Sequence, residues 1–489
     1  MGILRRWSLI VFFALSSCLS MSEEAQTRSL MAPPSLVPTI DHSLATSFFT
    51  TGDWPSNSWW EVFDSKELND LITSALLINP SIQAVEKRVQ WAKQRAIIAR
   101  GPLFPLIFFN ATDNWEYLSQ NGLYRALNPN LALNNQQIDF TMSFSYEFDF
   151  WDKYRNLFRA ALGREKAEEA ESAQVKLVVT TSLAQAYFAL KTNLLRKNLY
   201  ERLYEVRKNI YDLQQLLVDN SLYSKLPPLF AEENMLEAKK LVFSIQEEVA
   251  VDRHLVNILA GRGPDDPLQI DEVLSSLPKT IPIPTSISLD LLACRPDLMA
   301  QIWRVESLAH EVGAAKAEFY PNINVAALAG LESGSFSNLF SWLSKTAGAL
   351  PAIHLPVFTA GAIGAKVKGT KALFAQAVFE YNDLILKSFK EVADVLVFAK
   401  SIFEQKAKQG IIVASAKARY DLTLLRQVQG LDNALQNYEF QEEVIQKELE
   451  DVRLLYNQFL ASIKLIKALG GGYCSPEVPL KARAHDGST

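Results

Sequence analysis

Cysteine is scarce in this sequence, which contains three cysteines, at positions 18, 294 and 474, among 489 residues. So few cysteines exclude a disulfide-rich scaffold and a zinc site built from cysteine. Cys294 and Cys474 leave two alternatives, a disulfide in an oxidising compartment or two separate thiols. We expect separate thiols.

An excess of charge of either sign is also missing. The 49 Lys and Arg residues are balanced by 54 Asp and Glu residues, which gives a net charge of −5, and hydrophobic residues make up 48% of the chain. This balance excludes a disordered chain and argues against a nucleic-acid binder, which needs a basic surface. At roughly 100–200 residues per domain, the length allows two to four domains.

Long hydrophobic runs are absent beyond the N-terminus. No later stretch of 18 or more residues is uninterrupted and apolar, so membrane-spanning helices are not expected there. A role in a membrane would therefore need strands.

The first residues carry a targeting signal. Arg5 and Arg6 precede an apolar run that is too short to span a membrane, which predicts a signal peptide at residues 1–17. The run ends in Leu-Ser-Ser-Cys at residues 15–18, which resembles the bacterial lipoprotein box. We expect Cys18 to become an acylated, palmitate-bearing N-terminus, and a plain signal peptide is the alternative. Residues 18–66 are expected to form an extended, lipid-anchored segment.

Residues typical of catalytic or metal centres are few and scattered. The five histidines form no cluster, and His310-Glu311 lacks the second histidine of a metalloprotease helix. Residues 364–371 contain the two glycines of a phosphate-binding loop, but no lysine follows the second glycine. The six methionines form no ladder for a soft metal. We expect no enzyme, no cofactor and no metal site.

An internal repeat organises the rest of the chain. Pro80 and Pro296 open helical stretches that end at Pro105 and Pro321, and each proline pair is 216 residues apart. Two copies of one unit are the simplest explanation. We expect a first repeat at 67–260, a proline-rich linker at 261–284, a second repeat at 285–472 and a C-terminal tail at 473–489.

Each repeat contains one long helix. Apolar residues step by three and four from Leu199 to Leu217, and again from Val378 to Ile402, as in coiled-coil packing. The long helices are expected from about 157 to 219 and from about 361 to 421. Shorter helices are expected at about 80–101, 228–260, 296–320 and 430–469, with two of them stacked end to end beside each long helix.

Between the short and the long helix of each repeat, the spacing of apolar residues changes from a helical period to alternation. Apolar and polar residues alternate strictly from Ile138 to Phe150, which is a strand pattern and covers the ~9–11 residues of a transmembrane strand. Weaker alternation at 110–117, 323–331 and 353–357 predicts four strands per chain. Four strands cannot close a barrel, and lipid does not tolerate an open sheet edge, so several chains must share one barrel. The alternative is an edge strand of a soluble sheet.

Four motifs, in order, resemble the TolC-type outer-membrane efflux channels, and specifically the lipoprotein branch that serves resistance-nodulation-division pumps. They are residues 145–151 (SYEFDFW), 294–297 (CRPD), 355–361 (LPVFTAG) and 467–473 (KALGGGY). The resemblance implies a homotrimer in which four strands per chain form a shared 12-stranded outer-membrane barrel. The long coiled-coil-like helices then form a periplasmic tunnel, so the fold class is mainly α with a β-barrel part.

In this family the periplasmic gate lies at the tips between long and short helices, where acidic side chains narrow the tunnel. Its tip glycines correspond to Ser221 and Thr423, and its ring acids to Pro227 and Gln429. We therefore expect closure by tip packing and by contacts such as Arg426 with Asp432 or Asp219, more than by an acidic ring. The candidate gate or tip residues are Asp219, Lys225, Arg426, Gln429 and Asp432, and the candidate adaptor contacts are Leu222 and Leu424. The alternatives are solvated turn charges and leucines that pack within their own tip.

The function predicted is a passive outer-membrane exit duct for drugs or other small molecules. The resemblance implies a periplasmic adaptor and an inner-membrane pump as partners, with the chain lipid-anchored in the outer membrane and extending into the periplasm. Two alternatives remain, the outlet of a type I protein secretion system and a periplasmic coiled-coil scaffold without a pore. A scaffold needs no lipid-facing strand, so the alternation from Ile138 to Phe150 argues against it.

Overall fold

The computed structural model describes residues 30–44, 48–270, 281–284 and 287–475. The predicted signal peptide, Cys18 and the last residues of the predicted tail lie outside this part of the chain. The described helices are α1 (Val37–Leu44), α2 (Lys66–Ile78), α3 (Pro80–Arg100), α4 (Leu123–Leu127), α5 (Lys153–Asp219), α6 (Leu226–Leu259), α7 (Ile287–Cys294), α8 (Pro296–Ala317), α9 (Ala362–Val428) and α10 (Ala434–Ala468).

The strands form two separate sheets. They are β1 (Phe49–Thr51), β2 (Leu106–Tyr117), β3 (Asn134–Phe148), β4 (Ile281–Ile283), β5 (Asn322–Ser333) and β6 (Lys345–His354). The short strands β1 and β4 pair in parallel, whereas β2, β3, β5 and β6 form an antiparallel sheet in that order. Four strands are found, as expected, and the molecule is mainly helical, but the fourth strand was misplaced: β6 runs from Lys345 to His354, and residues 355–357 are not part of it.

The helices pack as the repeat predicts. The long helix α5 contacts both short helices of its own repeat, α3 and α6, and the long helix α9 contacts α8 and α10. Helix α5 also packs against α8 and α10, so the two repeats join side by side. The predicted seam of α5 is buried at Leu199, Leu203 and Val206, in one cluster with Ala238 of α6 and Ile445 of α10. Among the described helices, none is both long and apolar enough to cross a membrane.

Two expectations about the helical part need correction. The second long helix does not end near Asp421 but continues to Val428, because its last turn is closed by Gly430, which has a φ of +74°. The segment before residue 66 is not wholly extended, since it contains helix α1 and strand β1. Phe49 of β1 and Ile40 of α1 belong to the buried core around α8 and α9, and this burial stabilises the local structure.

Candidate functional site at the sheet faces and helix tips

The four-stranded sheet has one face that is apolar from its helical end to the level of Phe140. Residues directly opposite each other in an antiparallel pair share a face, so the register assigns side chains to the two sides. Phe144 of β3 lies opposite Ile107 on one side and Ala327 on the other. The remaining members of this apolar face include Phe109, Ala111, Phe140, Met142, Val325, Ala329, Leu331, Ala347, Ala349, Pro351 and Ile353.

The opposite face is polar in the half of the sheet away from the helices. There Asn110 Nδ2 donates to Ser143 Oγ at 3.1 Å, and Thr112 Oγ1 donates to Asp139 Oδ2 at 3.2 Å. Gln137 Nε2 donates to Glu332 Oε1 at 3.2 Å, which bridges β3 and β5. The half near the helices is less polar than the β3 sequence suggested, because neighbouring strands place Leu106, Phe108, Leu328 and Leu350 on this face.

Each long helix ends in a turn with the same backbone geometry. At the first tip, Ser221 has a φ of +59°, and its N–H donates to Val218 while Leu222 N–H donates to Leu217. At the second tip, Gly430 N–H donates to Gln427 and Leu431 N–H donates to Arg426. This pair of bonds around a left-handed residue is a Schellman turn. Ser221 and Gly430 are therefore structural equivalents.

In this chain the left-handed residue of the second tip is Gly430 and not Thr423. Thr423 does not replace the turn glycine, because it is buried inside α9 and its hydroxyl donates to Arg419 O. The turn glycine is present as Gly430. Gln429 caps the end of α9 through its backbone N–H, and the carboxylate of this turn belongs to Asp432. That Gln429 stands where the family has a ring acid stays a prediction from the resemblance.

The charged candidates are only partly brought together. Arg426 Nε donates to Asp432 Oδ2 at 2.7 Å and its Nη2 donates to Oδ1 at 3.0 Å, a two-pronged ion pair within the second tip. These hydrogen bonds, and the charge of Arg426, lower the pKa of Asp432 below its usual range. Asp219 instead accepts from Gln215 one turn earlier on α5, and Lys225 precedes α6 as an exposed residue.

The leucines of the tips are exposed, and the sequence analysis did not identify one of them, Leu431. Leu222 is 71% exposed and Leu424 is 38% exposed, so neither is buried within its own tip. The counterpart of Leu222 in the second turn is Leu431, which is 63% exposed and follows Gly430 directly. The signal in the sequence is the glycine before Leu431, because glycine favours the positive φ that this turn requires.

A second constellation holds the two stacked short helices of each repeat together. In the first repeat, Asn79 Nδ2 donates to Leu259 O at 2.9 Å, which connects the start of α3 to the end of α6. In the second repeat, Arg295 Nη1 donates to Ala468 O at 3.0 Å, which connects the start of α8 to the end of α10. Asn79 and Arg295 both precede the helix-opening proline, so one position serves both junctions.

The second junction is much more heavily bonded. Arg295 also pairs with Asp297 at 2.7 Å and with Glu391 at 2.9 Å. Burial alone would lower the pKa of Arg295, but the bonds and charges of Asp297 and Glu391 outweigh it and raise the pKa. The predicted helix stop at residues 470–472 is confirmed, and a Cβ at Gly470 would overlap the carbonyl oxygen of Cys294.

The expectation of separate thiols at this junction is wrong, because Cys294 and Cys474 form a disulfide. After the glycine turn the chain runs alongside the end of α7, where Ser475 N–H donates to Ala293 O at 3.0 Å. The two cysteines are 180 residues apart in the sequence, so no local pattern indicated that they lie close together. Within the described part of the chain, no group of three or more His, Cys, Asp or Glu side chains could hold a metal ion.

Long helices continued by a sheet with one apolar face define a class of outer-membrane channel, and comparison with known proteins agrees. The sequence profile of the outer membrane efflux protein family matches residues 71–247 and 288–471. The chain therefore belongs to this family, whose members lie in the outer membrane.

The similar proteins span nearly the whole chain. The multidrug resistance outer membrane protein MdtP of Escherichia coli K12 is 26% identical over 466 residues, which are 94% of each chain. The outer membrane protein VceC of Vibrio cholerae is 28% identical with a TM-score of 0.77, covering 86% of this chain and all of VceC. The CmeC outer membrane channel of Campylobacter jejuni has a TM-score of 0.81 at 23% identity, covering 90% and 93% of the two chains.

Proposed function

We propose that this chain is the outer-membrane channel of a tripartite efflux system, a passive duct that opens outward through a shared barrel. The observation that carries the proposal is the four-stranded sheet, which is apolar on one face and has unpaired edges at β2 and β6. An open edge is not tolerated in lipid, so the edges of neighbouring copies must pair. Three copies, as the family resemblance implies, give twelve strands.

The helical part supports the same ring. Helix α9 packs against α8, α10 and the short helix α1, whereas α3 and α6 pack against α5. Both α6 and α9 expose large apolar side chains, which a head-to-tail contact between copies would cover. On α6 they include Phe230, Leu236, Phe243, Val251 and Leu255, and on α9 they include Leu373, Leu386, Val397, Ile411 and Leu425.

The N-terminal segment is long enough for a lipid anchor at Cys18. Met31 N–H donates to Asn382 Oδ1 at 2.8 Å, a point 20 residues below the start of α9. This corresponds to roughly 30 Å along the helix. The 13 residues from Cys18 to Met31 can reach at most about 45 Å, so an acylated Cys18 can insert into the membrane beside the barrel.

At the other end, the two tips are proposed to form the aperture and the surface for a periplasmic adaptor. Arg426 and Asp432 neutralise each other there, and the exposed Leu222 and Leu431 offer apolar contacts of equivalent geometry. Leu424 on α9 lies one turn or more before the tip. The name of MdtP, a multidrug resistance outer membrane protein, supports drugs as cargo. The proposed partner that delivers the cargo is an inner-membrane pump.

Reconstitution in planar bilayers tests the proposal. The purified protein is expected to be a trimer in detergent and to form stable, water-filled conductances. A monodisperse monomer that gives no conductance would favour the scaffold alternative. Co-purification with a pump and adaptor, against co-purification with a protein-secretion transporter, separates drug efflux from type I secretion.

A further inference from the structure

The connection between β5 and β6 has an unusual composition for a loop outside the membrane. Residues 334–344 read GSFSNLFSWLS and contain no charged residue but five large apolar ones. The loop lies at the end of the sheet away from the helices. Loops in contact with water are normally polar, so this composition needs a physical reason.

The loop folds back over the apolar face of the sheet. The Phe340 ring meets the Phe140 ring edge to face at 6.2 Å, and Phe140 meets Phe109 at 6.1 Å in the same way. Leu339 is 0% exposed, and Ile138, at the outer end of the apolar face, is 2% exposed. By contrast, Met142 on the same face is 55% exposed. The loop therefore covers the outer end of the face and extends it.

The far side of the loop presents a new apolar surface. Phe336 stacks edge to face on Phe340 at 6.2 Å, and Phe336, Phe340 and Trp342 are each more than 60% exposed. The Lys345 ammonium lies over the Trp342 ring at the border of this surface. A contiguous exposed aromatic patch in a folded protein marks an interaction site.

The aromatic patch of the loop continues the apolar face of the sheet, and this continuity identifies what the patch contacts. The patch is joined through Phe340, Phe140 and Phe109 to the apolar face that the proposed function places in lipid. Aromatic side chains are enriched where a barrel meets the headgroup region, and a lysine near the edge can reach lipid phosphates. The chemistry fits acyl chains and phosphates, since Lys345 is the one charged residue within residues 334–345.

We propose that residues 334–344 form an apolar shelf that enters the outer leaflet, with Phe336, Phe340 and Trp342 among acyl chains and Lys345 at the phosphates. The inference rests on the proposed function, because it needs the sheet to lie in a membrane. It adds a lipid-contact element outside the strands themselves.

Site-specific labelling tests the shelf in the full-length protein in phospholipid vesicles. Phe340→Cys is labelled with a polarity-sensitive fluorophore, with Gln137→Cys on the polar face as the matched control and Phe144→Cys in the middle of the apolar face. Phospholipids brominated near the headgroup are expected to quench 340 several-fold more strongly than 137, and phospholipids brominated deep in the acyl chain are used for 144. Aqueous iodide should show the reverse order.

The outcomes separate the two proposals. If 144 responds to brominated lipid but 340 responds to iodide, the shelf is wrong and the barrel stands. If 340 is protected from both quenchers, a protein surface such as a second copy covers it, and the lipid shelf is also wrong. If neither 144 nor 340 responds to lipid, the proposed function itself fails. Ser337→Cys in the same loop serves as a second site should Phe340→Cys not fold.

Discussion

The two faces of β3 can be distinguished by a matched pair of arginine substitutions. Phe144→Arg places a charge on the apolar face, between Ile107 and Ala327, whereas Ser143→Arg places it on the opposite face. The two positions are adjacent in sequence, so strand propensity and depth are nearly the same for both. Only the side of the sheet differs.

The depth of Phe144 sets the expected magnitude. It lies four residues from the end of β3 at Phe148, which is about 13 Å along the strand at roughly 3.3 Å per residue. With a tilt of about 40°, this is some 10 Å inside an apolar band of about 25 Å, near its midplane. Arginine facing lipid there costs about 2–4 kcal/mol, and we expect the lower half of that range. This lowers the equilibrium constant for folding, the ratio of folded to unfolded protein, about 30- to 150-fold.

The control should cost much less. Ser143→Arg loses the hydrogen bond from Asn110, worth about 1 kcal/mol, and keeps the guanidinium in water. The measurement is the folding of each variant into phospholipid vesicles at a series of urea concentrations. The folded fraction is read from the electrophoretic mobility of the assembled form. Phe144→Gln separates the effect of charge from loss of the ring. Equal tolerance of arginine at 143 and 144 would show that the sheet does not have one lipid face and one water face.

Four further predictions concern the anchor, the tips and the junctions. Cys18→Ser should abolish acylation, seen by mass spectrometry of the mature N-terminus, yet leave assembly intact, because the barrel is the stronger attachment; an unmodified wild-type start elsewhere would contradict this. Ser221→Gly should stabilise the first tip by up to about 1 kcal/mol in hydrogen exchange, since glycine adopts the φ of +59° without strain, whereas Ser221→Ala should not. The channel should show little divalent-cation block at pH 7, where Asp432 is ionised and paired, and Arg426→Gln should introduce block that a second change, Asp432→Asn, removes. Because the pKa of Asp432 is lowered, the pair is lost only as pH falls through that lowered pKa, below the ordinary range of an aspartate. Arg295→Met should lower the free energy of unfolding by roughly 3 kcal/mol, because Asp297 and Glu391 lose their buried partner. Adding Cys474→Ser should lower it further, as measured by urea unfolding. Stability equal to wild type in both variants would contradict the role of the junction.

Local periodicity was sufficient to predict the elements of the fold. The start of α3 at Pro80 and of α8 at Pro296 follows from proline in a first helical turn, and β3 follows from strict alternation. These signals are local and strong. The offset of 216 residues between the repeats then predicted which helices are equivalent, because both repeats bury the apolar seams of their long helices in the same way.

The remaining features depend on contacts between distant residues. Cys294 and Cys474 meet only because the glycine turn after α10 returns the chain to α7. The end of α9 was misplaced because the sequence around Tyr420 resembled a tip, while the backbone conformation of Gly430 determines where the helix stops. The fold-back of residues 334–344 has no periodic signal at all, since it depends on Phe340 meeting Phe140 across the sheet.

The junctions show how two copies of one unit have acquired different strengths. In both, the residue before the proline reaches the carbonyl of the final turn of the partner short helix, at Leu259 O and at Ala468 O. The Asn79 amide supplies a neutral bond, worth about 1 kcal/mol, whereas the Arg295 guanidinium supplies a charge-assisted bond of roughly twice that strength. Asp297 on α8 and Glu391 on α9 hold this guanidinium in place. The disulfide adds a covalent connection at the second junction only. The second junction is therefore held by a charge-assisted bond and a covalent link, whereas the bonds described at the first junction, from Asn79 and from Ser74, are neutral.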